Sequence, residues 1–407
     1  MNVKEKLNKV LLLAFVFLLP TQLGKHFFLP FSFVSGVRID YLAPTIYLID
    51  IIFVLLATFY QAQITAHVKK NARLLLILGA VLVANILIAP VPQMAIYTIA
   101  RLIEVYFVYI IFAHERKKNG AVILYALIAG AVMQAILTTL QFMNKGSLQG
   151  IFYFFGERFF SMSSPGIATA ALNGVEILRP YGTFSHPNSM GGFFLLLYAF
   201  ALSAKPMKIP HVVLAALASF LVFFSFSKAA IGAFLLVTIT SALIQFVDRP
   251  LKSKKPCLPC LVSRILIPLV LGFLFFQAKG DTYSIDKRIT LIEQALILFQ
   301  QNPLFGVGFG NNLYLQAQFP SKYPEFFLQP VHNIFLLLMV QGGTIITALF
   351  TWIAFQLATK KRALVFIAII MTGLVDHYWL TLVQNMLLAG VVFGLLSDTE
   401  GNVKTIR

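Results

Sequence analysis

The sequence predicts an all-α integral membrane protein of about 12 transmembrane helices, on three observations. Hydrophobic residues make up 59% of the chain and mean hydropathy is +0.84. Only 12% of residues are charged, against about 25% in an ordinary soluble domain. Phenylalanine alone supplies 40 of the 407 residues. A soluble globular fold is excluded, and the +17 net charge has to be explained in a membrane context before a nucleic acid is invoked.

Crossing roughly 30 Å of hydrocarbon as helix takes about 17 to 25 apolar residues. Such stretches fall at 9–24, 41–60, 73–90, 93–113, 121–142, 187–204, 209–226, 229–247, 264–279, 333–358, 362–380 and 383–397, within a single polytopic domain over 1–407. The first, ninth and last are short. The first resembles a signal peptide, with Lys4, Lys6 and Lys9 ahead of it, but no small-x-small site follows before Lys25, so it reads as an anchor. The next stretch, "GKHFFLPFSFVSGVRID", reads as a loop or as a turn that dips back into the bilayer.

Orientation follows from Lys and Arg in the short loops. With the N-terminus inside, the cytoplasmic segments hold Lys69, Lys70, Arg73, the run Arg116–Lys118, Lys205, Lys208, the stretch from Arg249 to Arg264, the run Lys360–Arg362, Lys404 and Arg407, so both termini are expected in the cytoplasm. The net charge then reflects this bias and contact with anionic lipid. The exceptions are Lys25, Arg38, Arg101, Lys145, Arg158, Arg179, Lys228, Lys279, Lys287, Arg288 and Lys322. Most lie in two long segments expected outside, 143–186 and 280–332, where function on a helical scaffold usually sits. Arg101 and Glu104, three apart on one helix face, read as a buried pair.

The second long segment reads as partly helical. "SIDKRITLIEQALILFQQ" has apolar residues at helical spacing and Asp286 as a cap, which suits an amphipathic helix on the membrane. It breaks at "NPLFGVGFGNN", whose glycine spacing is not the dinucleotide fingerprint. The cluster is either a tight turn or a backbone amide cradle for phosphate. The chain then returns to the membrane at "QPVHNIFLLLMVQGG", with His332 and Asn333 at the mouth.

The stretches "RPYGTFSHPNSMGGFFLL", "FSFSKAAIGAFLL", "SIDKRITLIEQALILFQQNPLFGVGFGNN", "HNIFLLLMVQGG" and "GLVDHYWLT", in this order over 179–381, resemble the O-antigen ligase and O-antigen polymerase superfamily. The resemblance implies a GT-C-like membrane glycosyltransferase at the outer face of the bacterial cytoplasmic membrane. It would move a glycan from a polyprenyl (undecaprenyl) diphosphate carrier to an acceptor hydroxyl on a lipid-linked or polymeric saccharide, with membrane lipid as its surroundings and no nucleic acid partner. Ligase is the first expectation, polymerase the alternative. A transporter would also suit twelve spans, but no internal repeat is visible and the polar residues gather at the outer ends.

Such a site needs cations for the diphosphate and a base for the acceptor proton. Arginine pairs two phosphate oxygens at once and stays charged, and the motifs point to Arg179 and Arg288. Lys287 and Lys228 follow, although the family usually carries Arg at the position of Lys228. Neutral histidine can accept a proton at physiological pH. His332 matches the family's base, and Asn333 adjoins it. His186 and Asn188 lie at the start of the sixth span, with Gly182 expected to let backbone approach the carrier closely. Asp376 and His377 either line the cavity or pair with each other.

Direct displacement by a base-activated hydroxyl predicts inversion at the anomeric carbon. Acids of the long segments (Glu157, Glu176, Asp281, Asp286, Glu293, Glu325) are scattered, so neither a metal nor another cofactor is expected. Cys257 and Cys260 form "CLPC" in the basic loop and, without a second pair or nearby histidines, read as two free thiols.

Overall fold

The computed structural model describes residues 3–172, 174–204, 206–247, 272, 283–320, 324 and 328–397. The expected ninth span at 264–279 apart from Gly272, Cys257 and Cys260, the basic stretch 249–264, Lys205, Lys279, Asp281, Lys322, Glu325, Lys404 and Arg407 lie outside the described residues.

The architecture is helical. In chain order the helices are α1 (Val3–Leu18), α2 (Leu48–Phe59), α3 (Gln61–Lys70), α4 (Ala72–Ile88), α5 (Pro92–Asn144), α6 (Pro187–Ser203), α7 (Ile209–Phe224), α8 (Lys228–Val247), α9 (Tyr283–Gln301), α10 (Asn312–Gln316), α11 (Ile334–Leu357), α12 (Ala363–Gly373), α13 (Tyr378–Thr381) and α14 (Val383–Leu395). Among the described residues strands lie in the segments between helices, as antiparallel pairs of Gly24–His26 with Thr45–Tyr47, Phe33–Val34 with Val37–Arg38, and Thr169–Leu172 with Val175–Leu178.

Among the described residues, α5, α8 and α11 are long and apolar enough to cross a membrane, and α2 with α3 would make a broken span bent by 78°. Several expected spans differ from what forms. The first helix is Val3–Leu18, ending ahead of Pro20 instead of running over 9–24. The second begins only at Leu48, because residues 24–47 are taken by short strands and turns. The expected 362–380 span stops at Gly373 and restarts as α13.

Spans expected at 93–113 and 121–142 occur as one uninterrupted helical run, α5. The run doubles back on itself. Gly390 of α14 lies against the Val105 carbonyl, whereas Gln384, two turns earlier on α14, donates to Pro20 O at 2.8 Å. That same carbonyl accepts from Thr183 Oγ1, which is held by Gln134 Nε2 at 2.7 Å. A straight helix would hold residues 105 and 134 about 44 Å apart at 1.5 Å per residue. The reversal falls by the basic run Arg116–Lys118, where Lys118 pairs with Glu5 at 3.8 Å.

Among the described residues most of the core is one apolar cluster drawn from α1, α2, α3, α5, α6, α7, α8, α12, α13 and α14. Helix α6 lies at its centre, buried from Pro187 to Ala201 apart from Asn188. A helix that is apolar all round and buried all round is a central helix. Its N-terminus therefore opens inside the protein, which is why polar residues cluster at "SHPN".

The glycine cluster takes the tight-turn alternative. Val307 N and Gly308 N donate to Val340 O (2.8 Å) and Gln341 O (3.1 Å), and Asn85 Oδ1 accepts from Phe309 N at 2.9 Å, so these amides are committed to protein. The turn fits the break of α11 at Gly343, where φ is +67° and an added Cβ would strike the Leu304 carbonyl. Arg101 does pair with Glu104 (2.7 Å), and Asp50 completes the group at 2.6 Å.

Candidate active site

The loop that carries Arg179 is fixed from beneath by two glutamines of α5. Gln141 Oε1 accepts from Tyr181 N (3.1 Å) and Gly182 N (2.8 Å), and its Nε2 donates to Glu157 Oε1 at 2.8 Å. Glu157 is buried, and accepts in addition from Leu148 N at 3.0 Å and Gln149 N at 2.5 Å. Gly182 has φ +57°, and an added Cβ would strike Gln134 Oε1. Its close approach is thus to α5, which replaces the expected approach to a carrier.

Held this way, Arg179 donates from Nε to Ser225 O at 3.1 Å and from Nη2 to Asn188 Oδ1 at 2.6 Å. Asn188 Nδ2 in turn donates to Asp376 Oδ2 at 3.0 Å. His186 is the N-cap of α6, its Nδ1 accepting from Asn188 N at 3.1 Å. Asp376 Oδ1 accepts from His377 N at 2.8 Å, and His377 Nδ1 meets Thr381 Oγ1 at 2.7 Å. The rings of His332 and His377 meet edge to face with centroids 5.0 Å apart. His332 Nδ1 is buried and has no hydrogen-bond partner.

Segments from five parts of the chain thus converge at one end of the bundle: the ends of both long segments, the Ser225 turn, α9 and the α12–α13 turn. Arg288, on α9, is close enough to act electrostatically on Arg179, His332 and His377. Among the described residues it makes no hydrogen bond or ion pair, so its guanidinium donors are available. Burial pushes the Arg179 guanidinium down to about 10, with Tyr181 and Asp376 opposing and Arg288 adding to the fall; it remains protonated at neutral pH. Burial also lowers His332, with Asp376 raising and Arg288 lowering it, so the imidazole is neutral at physiological pH. His186 is lowered by burial and by Arg179 beside it.

The remaining sequence-picked residues fare differently. Lys228 is exposed at the first turn of α8, three residues from the Ser225 carbonyl that holds Arg179. Lys287 is half-buried beside Arg288. Asn333 caps α11: its Oδ1 accepts from Phe335 N and Leu336 N, both at 3.0 Å, and its Nδ2 donates to Leu374 O at 3.2 Å. Both ends of that side chain are used by the protein.

Two residues of the site escaped the sequence reading. Tyr41 stands with its ring 5.6 Å from that of His377, and Arg158 donates from Nη1 to Ser185 O at 2.8 Å. For Tyr41 the available signal was the aromatic and basic character of "HFFLPFSFVSGVRIDY", which sets it apart from an ordinary connection.

One ligand atom each from His332, Asp376 and His377 lie within 4.8 Å of one another, close enough to hold a metal ion. The donor set is partly engaged, however: both Asp376 oxygens and His377 Nδ1 have protein partners, His332 Nδ1 has none, and two guanidinium groups stand near. The trio fits a carboxylate and imidazole proton-handling group better than a cation cage.

Residues 192–353 match the family described as O-Antigen ligase. This stretch takes in Lys228, Lys287, Arg288, His332 and Asn333, whereas Arg179, His186, Asn188, Asp376 and His377 reach the same site from outside it. None of the curated proteins matches. The apolar helices agree with the membrane-embedded character of that family. Over residues 192–353 the chain is thus similar to the O-antigen ligase family, which supports the resemblance carried by the motifs between 179 and 381.

Proposed function

We propose that the protein is an O-antigen ligase-like glycosyltransferase of the bacterial inner membrane, with both termini cytoplasmic and the site at the outer face. The donor is a glycan on a polyprenyl (undecaprenyl) diphosphate, and the acceptor is a saccharide hydroxyl. The observation that carries this reading is the meeting of two guanidinium groups from far apart in sequence around one centre: Arg288 acts on both His332 and Arg179, and Arg179 is tied through Asn188 to Asp376, which faces His332. Phosphoryl groups are held well by planar guanidinium forks. Neutral histidine with a carboxylate at hand suits general-base work.

In the proposed reaction a ring nitrogen of His332 takes the acceptor hydroxyl proton. The acceptor oxygen attacks the anomeric carbon, forming the new C–O bond. The bond to the diphosphate breaks with its electron pair, and the polyprenyl diphosphate leaves as an anion stabilised by Arg179 and Arg288. Asp376 stabilises the imidazolium that forms. The transfer inverts the anomeric centre and uses no metal. The clustering of Lys and Arg in the segments expected inside, as at Arg116–Lys118 and Lys360–Arg362, supports the orientation.

The test is incubation of purified protein with a polyprenyl diphosphate glycan and candidate acceptors, scoring the product and its anomeric configuration. Transfer with inversion supports the reading. Retained configuration, or no transfer to any saccharide, defeats it.

A further inference from the structure

Two substrates meet at His332, and Arg179 and Arg288 hold only the donor. The acceptor hydroxyl must reach the imidazole from a side that the diphosphate does not fill. On one flank are Arg179 and Arg288. A second flank is formed by Tyr41, whose ring stands edge-on to His377 at 5.6 Å, as His377 stands to His332 at 5.0 Å. Beside it, Arg158 is pinned by one hydrogen bond, Nη1 to Ser185 O at 2.8 Å, one residue before the His186 cap. Arginine has five N–H donors, and Arg158 is exposed.

Arg158 also has no carboxylate partner among the described residues. The other nearby cation, Arg38, is occupied by Asp40 at 3.4 Å and lies over the Phe28 ring at 4.7 Å. The charge of Arg158 is felt at His26, Tyr41 and Tyr181, whereas that of Arg288 is felt at Arg179, His332 and His377. The two cations therefore serve different flanks of one centre. An isolated surface arginine is ordinary; one held at the rim of a reaction centre beside an aromatic wall, with its fork unclaimed by acid, suits an anionic sugar substituent.

We propose that Arg158 and Tyr41 form the acceptor subsite and that Arg158 recognises a phosphate or carboxylate carried by the acceptor saccharide. Tyr41 supplies the face against which the acceptor sugar packs. The assignment rests on the glycosyl-transfer reading above.

The experiment compares wild type, Arg158→Ala, Arg158→Gln and Arg158→Lys on two acceptors that differ only in the presence of the anionic group, with folding checked by melting in detergent. The expected result is a KM for the anionic acceptor raised roughly tenfold in the Ala and Gln variants, the scale of one charge-assisted contact. Turnover at saturation and donor binding should stay unchanged, the Lys variant should recover part of the loss, and the neutral acceptor should not distinguish the variants. Equal loss on both acceptors would make Arg158 a structural pin for Ser185 and overturn the proposal. Weakened donor binding with normal acceptor KM would place it on the donor side and overturn it equally. If wild type transfers nothing from a polyprenyl diphosphate, the catalytic reading fails by itself. Direct titration of wild type and Arg158→Gln with the anionic saccharide then decides the subsite, with equal affinities counting against it.

Discussion

Asn188 and Asp376 lie 188 positions apart in sequence and meet through a 3.0 Å hydrogen bond, Nδ2 donating to Oδ2. Because Asn188 Oδ1 simultaneously accepts from Arg179, one amide couples the cation side of the site to its carboxylate. The amide is the group that can do this, having a donor and an acceptor on one planar head. Asn188→Leu should leave a guanidinium and a carboxylate each short of a partner, at a cost of about 1–3 kcal/mol per orphaned group. A lowered detergent melting temperature together with weaker donor binding is expected. A variant that melts normally and binds donor normally would deny Asn188 this linking role.

The position of Arg288 relative to His332 has a consequence for pH. Burial and Arg288 lower the imidazole, and Asp376 partly offsets them, so the acid limb of kcat/KM should lie below the ordinary histidine value of about 6.5. Protonation removes the base, so activity is present above the depressed pKa and falls as pH drops through it. Removing the Arg288 charge withdraws a lowering influence. Arg288→Gln should therefore shift that limb to higher pH, on top of its loss in donor binding. An unchanged limb would separate the two residues electrostatically.

Sequence patterning reached the central part of this arrangement. The buried run after Pro187 and the amphipathic α9 could be read because their apolar spacing is local. The motifs around Arg179, Arg288 and His332 carried a resemblance that long-range contacts then brought to one place. The double-back inside α5 was legible only as two spans, since hydropathy sees the apolar legs and not that helical hydrogen bonding continues through the basic reversal. Tyr41 and Arg158 were missed for a different reason. Their relation to His377 and Ser185 is set by how loops fold over a bundle end, which no local period encodes. Gly182 misled because a glycine signals close approach without saying to what, and the close neighbour proved to be Gln134.

Opposite ends of the bundle should face opposite compartments. Lys145 is exposed near the site end and Lys117 is exposed at the reversal of α5. In a chain otherwise lacking cysteine, Lys145→Cys should react with an impermeant thiol reagent on intact cells, and Lys117→Cys should react only after the membrane is opened. The reverse pattern would put the candidate site in the cytoplasm and remove the outer-face reaction.

Transfer should survive excess chelator, because Arg179 and Arg288 provide the charge that a divalent ion provides in other phosphoryl sites. The compact trio of His332, Asp376 and His377 makes this a demanding test. Activity lost to chelator and restored by Mn²⁺ or Zn²⁺ would turn those three residues into metal ligands and take the general-base role away from His332.

Base and anion-holding roles separate in the kinetics of variants. If His332 takes the acceptor proton, His332→Ala should lower single-turnover transfer by roughly 10²- to 10⁴-fold, the usual worth of general-base catalysis, with donor affinity little changed. Arg179→Ala and Arg288→Ala should weaken donor binding as well as transfer. Lys at either position should restore only part of it, since a point charge replaces the two-pronged fork. Arg179→Ala carries a further cost that Arg288→Ala does not: it also strips partners from Asn188 and the Ser225 carbonyl, whereas Arg288 makes no hydrogen bond or ion pair among the described residues. Melting in detergent should thus fall for Arg179→Ala and hold for Arg288→Ala. Loss of donor binding in His332→Ala, with the fold intact, would make that imidazole a diphosphate ligand and move the search for the base to Asp376 and His377.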